Sequence, residues 1–448
     1  MVTGDDLAGR PATRGGNAPC PARALVRPAD TSEVAAVVAA CHAAGVAIVP
    51  QGGHTGLVHG ADAAAGEVLL SLERMRAIGP VDTAQRVMIV EAGAILSEVQ
   101  QAARDAGLLF PVDLGARGSA TIGGMTATNA GGNGVLRHGM MRENISGLEA
   151  VLADGTIVDA TNQLIKNNSG YDLKQLFIGS EGTLGIVTRI VLRLCELPSE
   201  EATALVALDR FSTVGELLRR LERETRGALT AFEVMWPDFY EAVAGPEALP
   251  RPPLALGHGY YVLVEAGIPS EELGENLANL LEEGLLADAV IASSEREREE
   301  LWTIRDDVAQ LRRFGSLRAY DISLRLADME AYLADLRTRI ATRWPGARLW
   351  AFGHLGDGNV HVAVHVPEDA GEVPKDLDAL VYAPLQALGG AISAEHGIGT
   401  EKKGWLGISR TPAEIALMHG LKRALDPANI LNPGRVIDAA PGTREGRS

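Results

Sequence analysis

Gly118-Ser119-Ala120-Thr121-Ile122-Gly123-Gly124-Met125-Thr126-Ala127-Thr128-Asn129-Ala130-Gly131-Gly132 is filled almost entirely by small residues and hydroxyls. With Gly115 and Gly134 it gathers seven glycines into twenty residues. Each glycine costs ordering entropy, so such a run makes a poor core segment. A large ligand lying along this backbone would justify it. Two shorter runs share the character. Pro50-Gln51-Gly52-Gly53-His54-Thr55-Gly56 follows an apolar strand at 46–49, and Gly179-Ser180-Glu181-Gly182-Thr183-Leu184-Gly185-Ile186-Val187-Thr188 opens another. Consecutive glycines allow several N–H groups to point into one concavity, which suits a pyrophosphate. Neither the GxGxxG fingerprint nor the GxxxxGK[ST] loop is present. Three such loops around apolar strands suit a long, flat, phosphate-bearing cofactor.

Around the loops the periodicity is mixed. Thr31-Ser32-Glu33 opens an amphipathic helix through Ala44 that stops at Gly45. Short strands are expected at 68–72 and 87–90, a helix at 96–106, and a hairpin turning at Asp154-Gly155. After Leu197-Pro198 long charged helices alternate with short strands, such as 260–265. A domain boundary is therefore expected near 198, dividing 18–197 from 198–405, with 406–448 as a C-terminal segment. Charge runs such as Glu295–Glu300 read as solvated helix faces.

Composition narrows the partners. Hydrophobic residues make up 46% of the 448, enough for sizeable cores, and the formal net charge is −17. That balance argues against duplex nucleic acid or an anionic membrane as the main partner. An anionic substrate needs a local basic pocket. Cys20, Cys41 and Cys195 are too few and scattered for a disulfide framework or a thiolate zinc site. No basic segment followed by an apolar run opens the chain, so a cytoplasmic location is expected.

The most chemical stretch is Trp350-Ala351-Phe352-Gly353-His354-Leu355-Gly356-Asp357-Gly358-Asn359-Val360-His361-Val362-Ala363-Val364-His365-Val366. From Val360 the period is two, with valines on one face and His361, Ala363 and His365 on the other. His354 and His361 flank a turn, so their imidazoles can converge. Some forty residues on comes Ser393-Ala394-Glu395-His396-Gly397-Ile398-Gly399. Two histidines and a glutamate make a sensible set for Zn²⁺ or another borderline divalent ion, although a histidine pair is more often structural.

Taken together, Pro50–Gly60, Pro111-Val112-Asp113-Leu114-Gly115 through Gly134, Gly170–Phe177 and Gly179–Thr188 resemble the FAD domain of the vanillyl-alcohol-oxidase-type flavoproteins. More narrowly, they resemble the branch of D-lactate and D-2-hydroxyglutarate dehydrogenases. The resemblance runs from about residue 20 to 437. It implies an α+β chain with a two-subdomain PCMH/VAO-type FAD-binding domain, an α+β substrate (cap) domain, and a C-terminal helical return to the flavin at Asn432-Pro433-Gly434-Arg435. FAD would lie against Pro50, Gln51, Gly52, Gly53, His54, Thr55, Gly56, Asp113, Gly118, Ser119, Ile122, Gly123, Thr128, Glu181, Gly182, Gly185, Ile186, Val187 and Asn432. His54 stands where these dehydrogenases usually carry Asn, and other branches attach flavin covalently to a histidine there. An unlinked His54 facing the ring is the default expectation.

The Gly-His-Leu-Gly-Asp-Gly-Asn-x-His and Glu-His-Gly-x-Gly strings match the family's substrate domain. The match implies His354, His361 and Glu395 as ligands of zinc or another divalent metal, and His396 as base. Leu301-Trp302-Thr303-Ile304-Arg305 resembles the family's Leu-Trp-x-x-Arg segment, making Arg305 the anchor for a substrate carboxylate. The implied reaction is oxidation of a small D-2-hydroxy acid: His396 takes the hydroxyl proton and the Cα hydride goes to flavin N5.

Three departures bear on the substrate. Ala309, Ala319 and Ala363 stand where the dehydrogenases for the diacid carry Thr, Lys and Asn. They imply a roomier, less cationic pocket. Arg318 neighbours the missing Lys, but a one-residue shift on a strand points to the opposite face. The expected partners are the hydroxy acid and an electron acceptor of quinone, cytochrome or electron-transfer flavoprotein type. A homodimer is admissible, and the acceptor and oligomeric state stay open. An oxidase returning electrons to O₂ and a non-catalytic FAD subunit are the competing readings. Against the latter, His354, His361, Glu395, His396 and Arg305 are all present.

Overall fold

The computed structural model describes residues 1–438 apart from residues 15, 17, 250 and 368–373. Two compact units emerge. The first joins Met1–Gly132, Gly139–Leu197 and Glu395–Ser448, and the second joins Asn133–His138 with Pro198–Ala394. The division differs from the expected one at two points. Residues 133–138 go with the second unit, and the return begins at Glu395, not at 406.

In the first unit, strands β1 (Ala24–Val26), β2 (Ile48–Gln51) and β3 (Val68–Ser71) form a parallel sheet in the order β1-β3-β2. The helix Thr31–Ala44 makes the crossover from β1 to β2. Asp30 caps its N-terminus by accepting from Glu33 N–H, and Gly45 ends it at φ 62°. The chain's C-terminal return lies beside β2. Ile48 N–H donates to Ile430 O and Asn432 N–H to Ile48 O, both at 2.7 Å.

A second sheet is antiparallel, built from β4 (Ile78–Asp82), β5 (Val87–Glu91), β7 (Ile145–Val151), β8 (Ile157–Ala160) and β9 (Ile186–Arg193) in the order β4-β5-β9-β7-β8. β6 (Leu108–Leu109) pairs with β10 (Cys195–Glu196). β7 and β8 turn at Asp154-Gly155, with Gly155 at φ 89°. The glycine-rich run supplies the helix Ile122–Thr128, laid on the end of β5: Gly123 N–H donates to Ala92 O at 2.7 Å. Its Ile122 and Met125 join Val90, Leu96, Leu148 and Ile190 in the unit's main core.

The second unit is built on one seven-stranded antiparallel sheet. Its strands are β11 (Ala202–Leu208), β12 (Leu229–Met235), β13 (Tyr260–Ala266), β14 (Asp288–Ile291), β15 (Leu317–Ser323), β16 (Arg348–His354) and β17 (Asn359–His365), ordered β14-β11-β13-β12-β16-β17-β15. Register partners share a face. Glu233 opposes His354, Phe352 opposes His361, and His361 opposes Asp321, so these residues line one face. Val360, Val362 and Val364 take the other face and are fully buried. The site-bearing face is covered by the helices Pro237–Ala244 and Glu295–Asp306, with Phe239 stacked on Phe352 at 4.2 Å. Among the described residues, no helix is long and apolar enough to cross a membrane.

Candidate active site

The glycines of the first unit fall into two classes. A Cβ added at Gly52 would lie 2.2 Å from Thr121 Oγ1, and one at Gly53 1.8 Å from Ser119 O. One at Gly123 would meet Ala92 Cβ at 2.5 Å, and one at Gly182 would meet Pro50 Cγ at 2.4 Å. These glycines let the three loops pack closely on their neighbours, so a ligand alone is not their explanation. Gly56, Gly115 and Gly118 are different: nothing lies within 4 Å of their added Cβ. They leave bare backbone open to a ligand. Gly52, Gly53, His54, Gly118, Ser119 and Thr121 line a cavity of ≈ 510 Å³, within the ordinary range for a small-molecule site.

Most side chains assigned to the cofactor are engaged inside the protein. Gln51 donates to Ala61 O, and Thr128 Oγ1 to Gly124 O. Asp113 accepts from Gln100 and Arg117. Ile122, Ile186 and Val187 point into the core, and Gly185 packs on Phe177. What these positions can offer a cofactor is backbone. Thr55 O accepts from Arg14. His54 sits at φ 54° with Nε2 2.9 Å from Asp62 Oδ1, while His59 takes the other oxygen of that carboxylate at 2.7 Å. Asn432, at φ 44°, donates to Gly60 O and Glu181 O, and its buried Oδ1 has no hydrogen-bond partner among the described residues. In the same unit, a buried acceptor and glycine backbone left open fit a ligand with hydrogen-bond donors and phosphate oxygens.

The Glu181 carboxylate accepts Ile398 N–H at 2.7 Å and Gly399 N–H at 2.9 Å. Burial pushes its pKa up, against those two N–H groups and Lys402. The loop it grips carries Glu395 and His396, whose Nε2 is 3.8 Å from Glu395 Oε1. Gly399 packs so closely on Val58 O that a Cβ would lie 1.9 Å from it, and Gly399 O accepts Val436 N–H. The His396 loop is thus fastened to the first and third glycine loops and to the C-terminal return. Only an acid standing alone among small residues hinted at this in the sequence.

In the second unit a charged cluster is buried on the sheet. Glu233, Arg305 and His354 are 1%, 5% and 7% exposed. Glu233 Oε1 is 2.6 Å from His354 Nδ1, and Oε2 accepts Arg305 Nε at 2.7 Å. Arg305 Nη2 is 3.3 Å from His354 Nε2, and the guanidinium lies 5.2 Å over the Phe352 ring. Burial opposes the Glu233 charge, but His354 and then Arg305 outweigh it and hold the carboxyl down at about 2.

His361 offers a ligand atom within 4.8 Å of one from the fully buried Asp321. Asp321 Oδ2 accepts Ser393 Oγ–H and Ala394 N–H, at 3.2 and 3.1 Å. Asp321 is therefore a candidate ligand beside His361 that the sequence reading missed, as it missed Glu233. The available signal was the same for both: a single acid inside an apolar strand, Leu229–Met235 or Leu317–Ser323.

The three alanines are spread differently. Ala319 and Ala363 are direct register partners, Ala363 buried against Trp350 and Phe352, while Ala309 and Ala319 are exposed. Arg318 faces away from that row, as the strand period requires, and is tied to Asp378 at 3.1 Å.

These loops and this cluster belong to one class of protein. The chain belongs to the FAD-linked oxidases: the FAD-linked oxidase C-terminal domain matches residues 197–436, and the FAD-binding domain matches residues 22–161. Its relatives include the D-2-hydroxyglutarate dehydrogenase of Xanthomonas citri, 40% identical over 93% of this chain and 89% of that one. The mitochondrial D-2-hydroxyglutarate dehydrogenase of Bos taurus is 38% identical over 93% of this chain and 77% of that one. The fold is shared with p-cresol methylhydroxylase (TM-score 0.75, 17% identity, 98% of this chain and 94% of that one). It is shared also with the 4-ethylphenol oxidase of Gulosibacter chungangensis (TM-score 0.73, 18% identity, 94% and 90%). The architecture is the PCMH/VAO-type one expected from the motifs.

Proposed function

We propose that this protein is an FAD-dependent dehydrogenase of small D-2-hydroxy acids, producing the 2-oxo acid. The observation that carries the reading is the buried Glu233–Arg305–His354 cluster in a chain that also holds the glycine loops of an FAD domain. Arg305 is a cation with one edge committed to Glu233, and it receives the substrate carboxylate. His396, on a loop held by Glu181, takes the hydroxyl proton, a task for which an imidazole is matched near neutral pH.

His361, with Asp321 beside it, supplies nitrogen and oxygen donors of the kind that would hold a borderline divalent ion, whereas His354 has Nδ1 on Glu233 and Nε2 on Arg305. When bound, FAD supplies the hydride acceptor and the metal acidifies the substrate hydroxyl. The relatives' names support a 2-hydroxyglutarate-type acid. The alanines at 309, 319 and 363, and the engagement of Arg318 with Asp378, favour an uncharged or bulkier side chain within that class. Electrons then leave to an acceptor other than the substrate.

The test is anaerobic bleaching of the flavin by a panel of 2-hydroxy acids, before and after chelation. Rapid bleaching by D-enantiomers, lost on chelation and restored by zinc, is expected. No bleaching by any hydroxy acid, in a folded yellow protein, refutes the reaction. A clear preference for D-2-hydroxyglutarate refutes the assignment of the side chain alone.

A further inference from the structure

We infer that Arg76 is a cofactor-binding residue of the first unit, the cation that meets the pyrophosphate of FAD. The inference rests on FAD as the cofactor and is independent of which hydroxy acid reacts.

The cavity of ≈ 510 Å³ has two kinds of lining. Gly52, Gly53 and Gly118 give uncharged backbone, while Arg10, Glu73, Arg76 and Glu98 give charge. Glu73 is already well supplied. It accepts Arg10 Nη1 and Nη2 at 3.1 and 3.0 Å, Arg27 Nη1 at 3.1 Å and Ser71 Oγ at 3.2 Å. Arg10 is therefore committed to Glu73. Three guanidiniums stand with two carboxylates, a local positive excess in a chain whose formal net charge is −17.

Arg76 is held differently. The backbone around it is fixed: the fully buried Met75 donates to Leu72 O at 2.9 Å and accepts Gly93 N–H at 2.8 Å, and Ala77 N–H donates to Glu91 Oε2 at 2.8 Å. Arg76 Nε donates to Glu73 O at 2.7 Å, which sets the plane of the guanidinium. Among the described residues its two Nη groups make no hydrogen bond or ion pair. That leaves a planar, two-donor fork on the wall of a cavity that open glycine backbone also lines, a geometry matched to phosphate oxygens. The pyrophosphate is the anionic part of FAD at neutral pH, so it is the part such a fork selects. Because Arg76 is exposed, salt should screen the attraction.

The test is binding of FAD to the flavin-free protein. In Arg76→Gln, FAD affinity from a fluorescence titration is expected to fall about tenfold, the lower end for hydrogen bonds to charged groups. ADP, which carries the same two phosphates without the flavin, should lose the same factor when it competes with FAD. Wild-type affinity should weaken more steeply with added NaCl than that of the variant. Arg76→Lys keeps the charge without the fork, so a smaller loss with the salt dependence retained is expected. The melting temperature of the flavin-free protein should not move, since the side chain is exposed. An Arg76→Gln affinity within about twofold of wild type overturns the inference, as does a loss for FAD that ADP does not share. Failure of the hydroxy-acid reaction reads differently: the flavin stays unbleached while the FAD and ADP losses stand.

Discussion

Replacing Glu181 tests whether the loop that carries His396 is held by a carboxylate of the third glycine loop. Its two oxygens accept Ile398 N–H and Gly399 N–H, at 2.7 and 2.9 Å. Leaving a buried donor unsatisfied costs about 1–3 kcal/mol, so Glu181→Ala should lose about 2–6 kcal/mol. Glu181→Gln keeps one acceptor and sets an amide against the other donor, for about 1–3 kcal/mol. The residue also sits at φ 50°, where a non-glycine residue pays roughly 1–2 kcal/mol. Glu181→Gly should therefore be less damaging than Glu181→Ala by about 1 kcal/mol. Against a native stability of roughly 5–15 kcal/mol these losses are large. The assay is urea unfolding of the holoprotein with flavin and tryptophan fluorescence, beside the rate of flavin reduction by substrate. The loop's release should slow reduction more than it weakens substrate binding. A glutamine variant within about 0.5 kcal/mol of wild type, reducing its flavin at the wild-type rate, would refute the fastening role.

Gly53→Ala forces a Cβ onto Ser119 O and should cost stability and flavin together, whereas Gly118→Ala meets nothing and should keep its melting temperature while FAD affinity falls. Flavin absorbance after gel filtration, with a thermal scan, separates the two. Arg318→Ala removes an ion pair with Asp378 and should cost about 1 kcal/mol, leaving KM within about twofold, because Arg318 faces away from the Ala319–Ala363 row. Steady-state kinetics and urea melts check this.

The Glu233 carboxyl is held at about 2, below its ordinary 4.5. A depressed acid contributes fully above the unfolded value and is lost as pH falls through the folded one. Wild type should thus lose roughly 3 kcal/mol from this group between about pH 4.5 and 2, and Glu233→Gln should lack that component in pH-dependent melts. Acid precipitation should release the flavin into the supernatant, because His54 Nε2 is engaged by Asp62. Flavin retained in the pellet would contradict this.

Periodicity and glycine spacing determined much of the architecture by themselves. The helix Thr31–Ala44, the Asp154-Gly155 hairpin and the alternating face of β17 follow from local rules: a cap, a left-handed turn residue and a period of two. The long ordered motifs likewise specified the family, since their residues are contiguous in the chain. Sequence order could not tell which glycines serve packing and which stay open. That depends on what lies across from each, as Ser119 O does from Gly53 and open space does from Gly118.

Nor could it show that Glu181 grips a loop more than two hundred residues away, or that Glu233 and Asp321 stand beside the histidines. A lone acid in an apolar strand reads as an exception until pairing gives it partners. The chemistry-bearing residue types were legible because motifs keep them adjacent. The carboxylates that orient them were not, because strand register and loop closure, both long-range, assemble those contacts only in the folded chain.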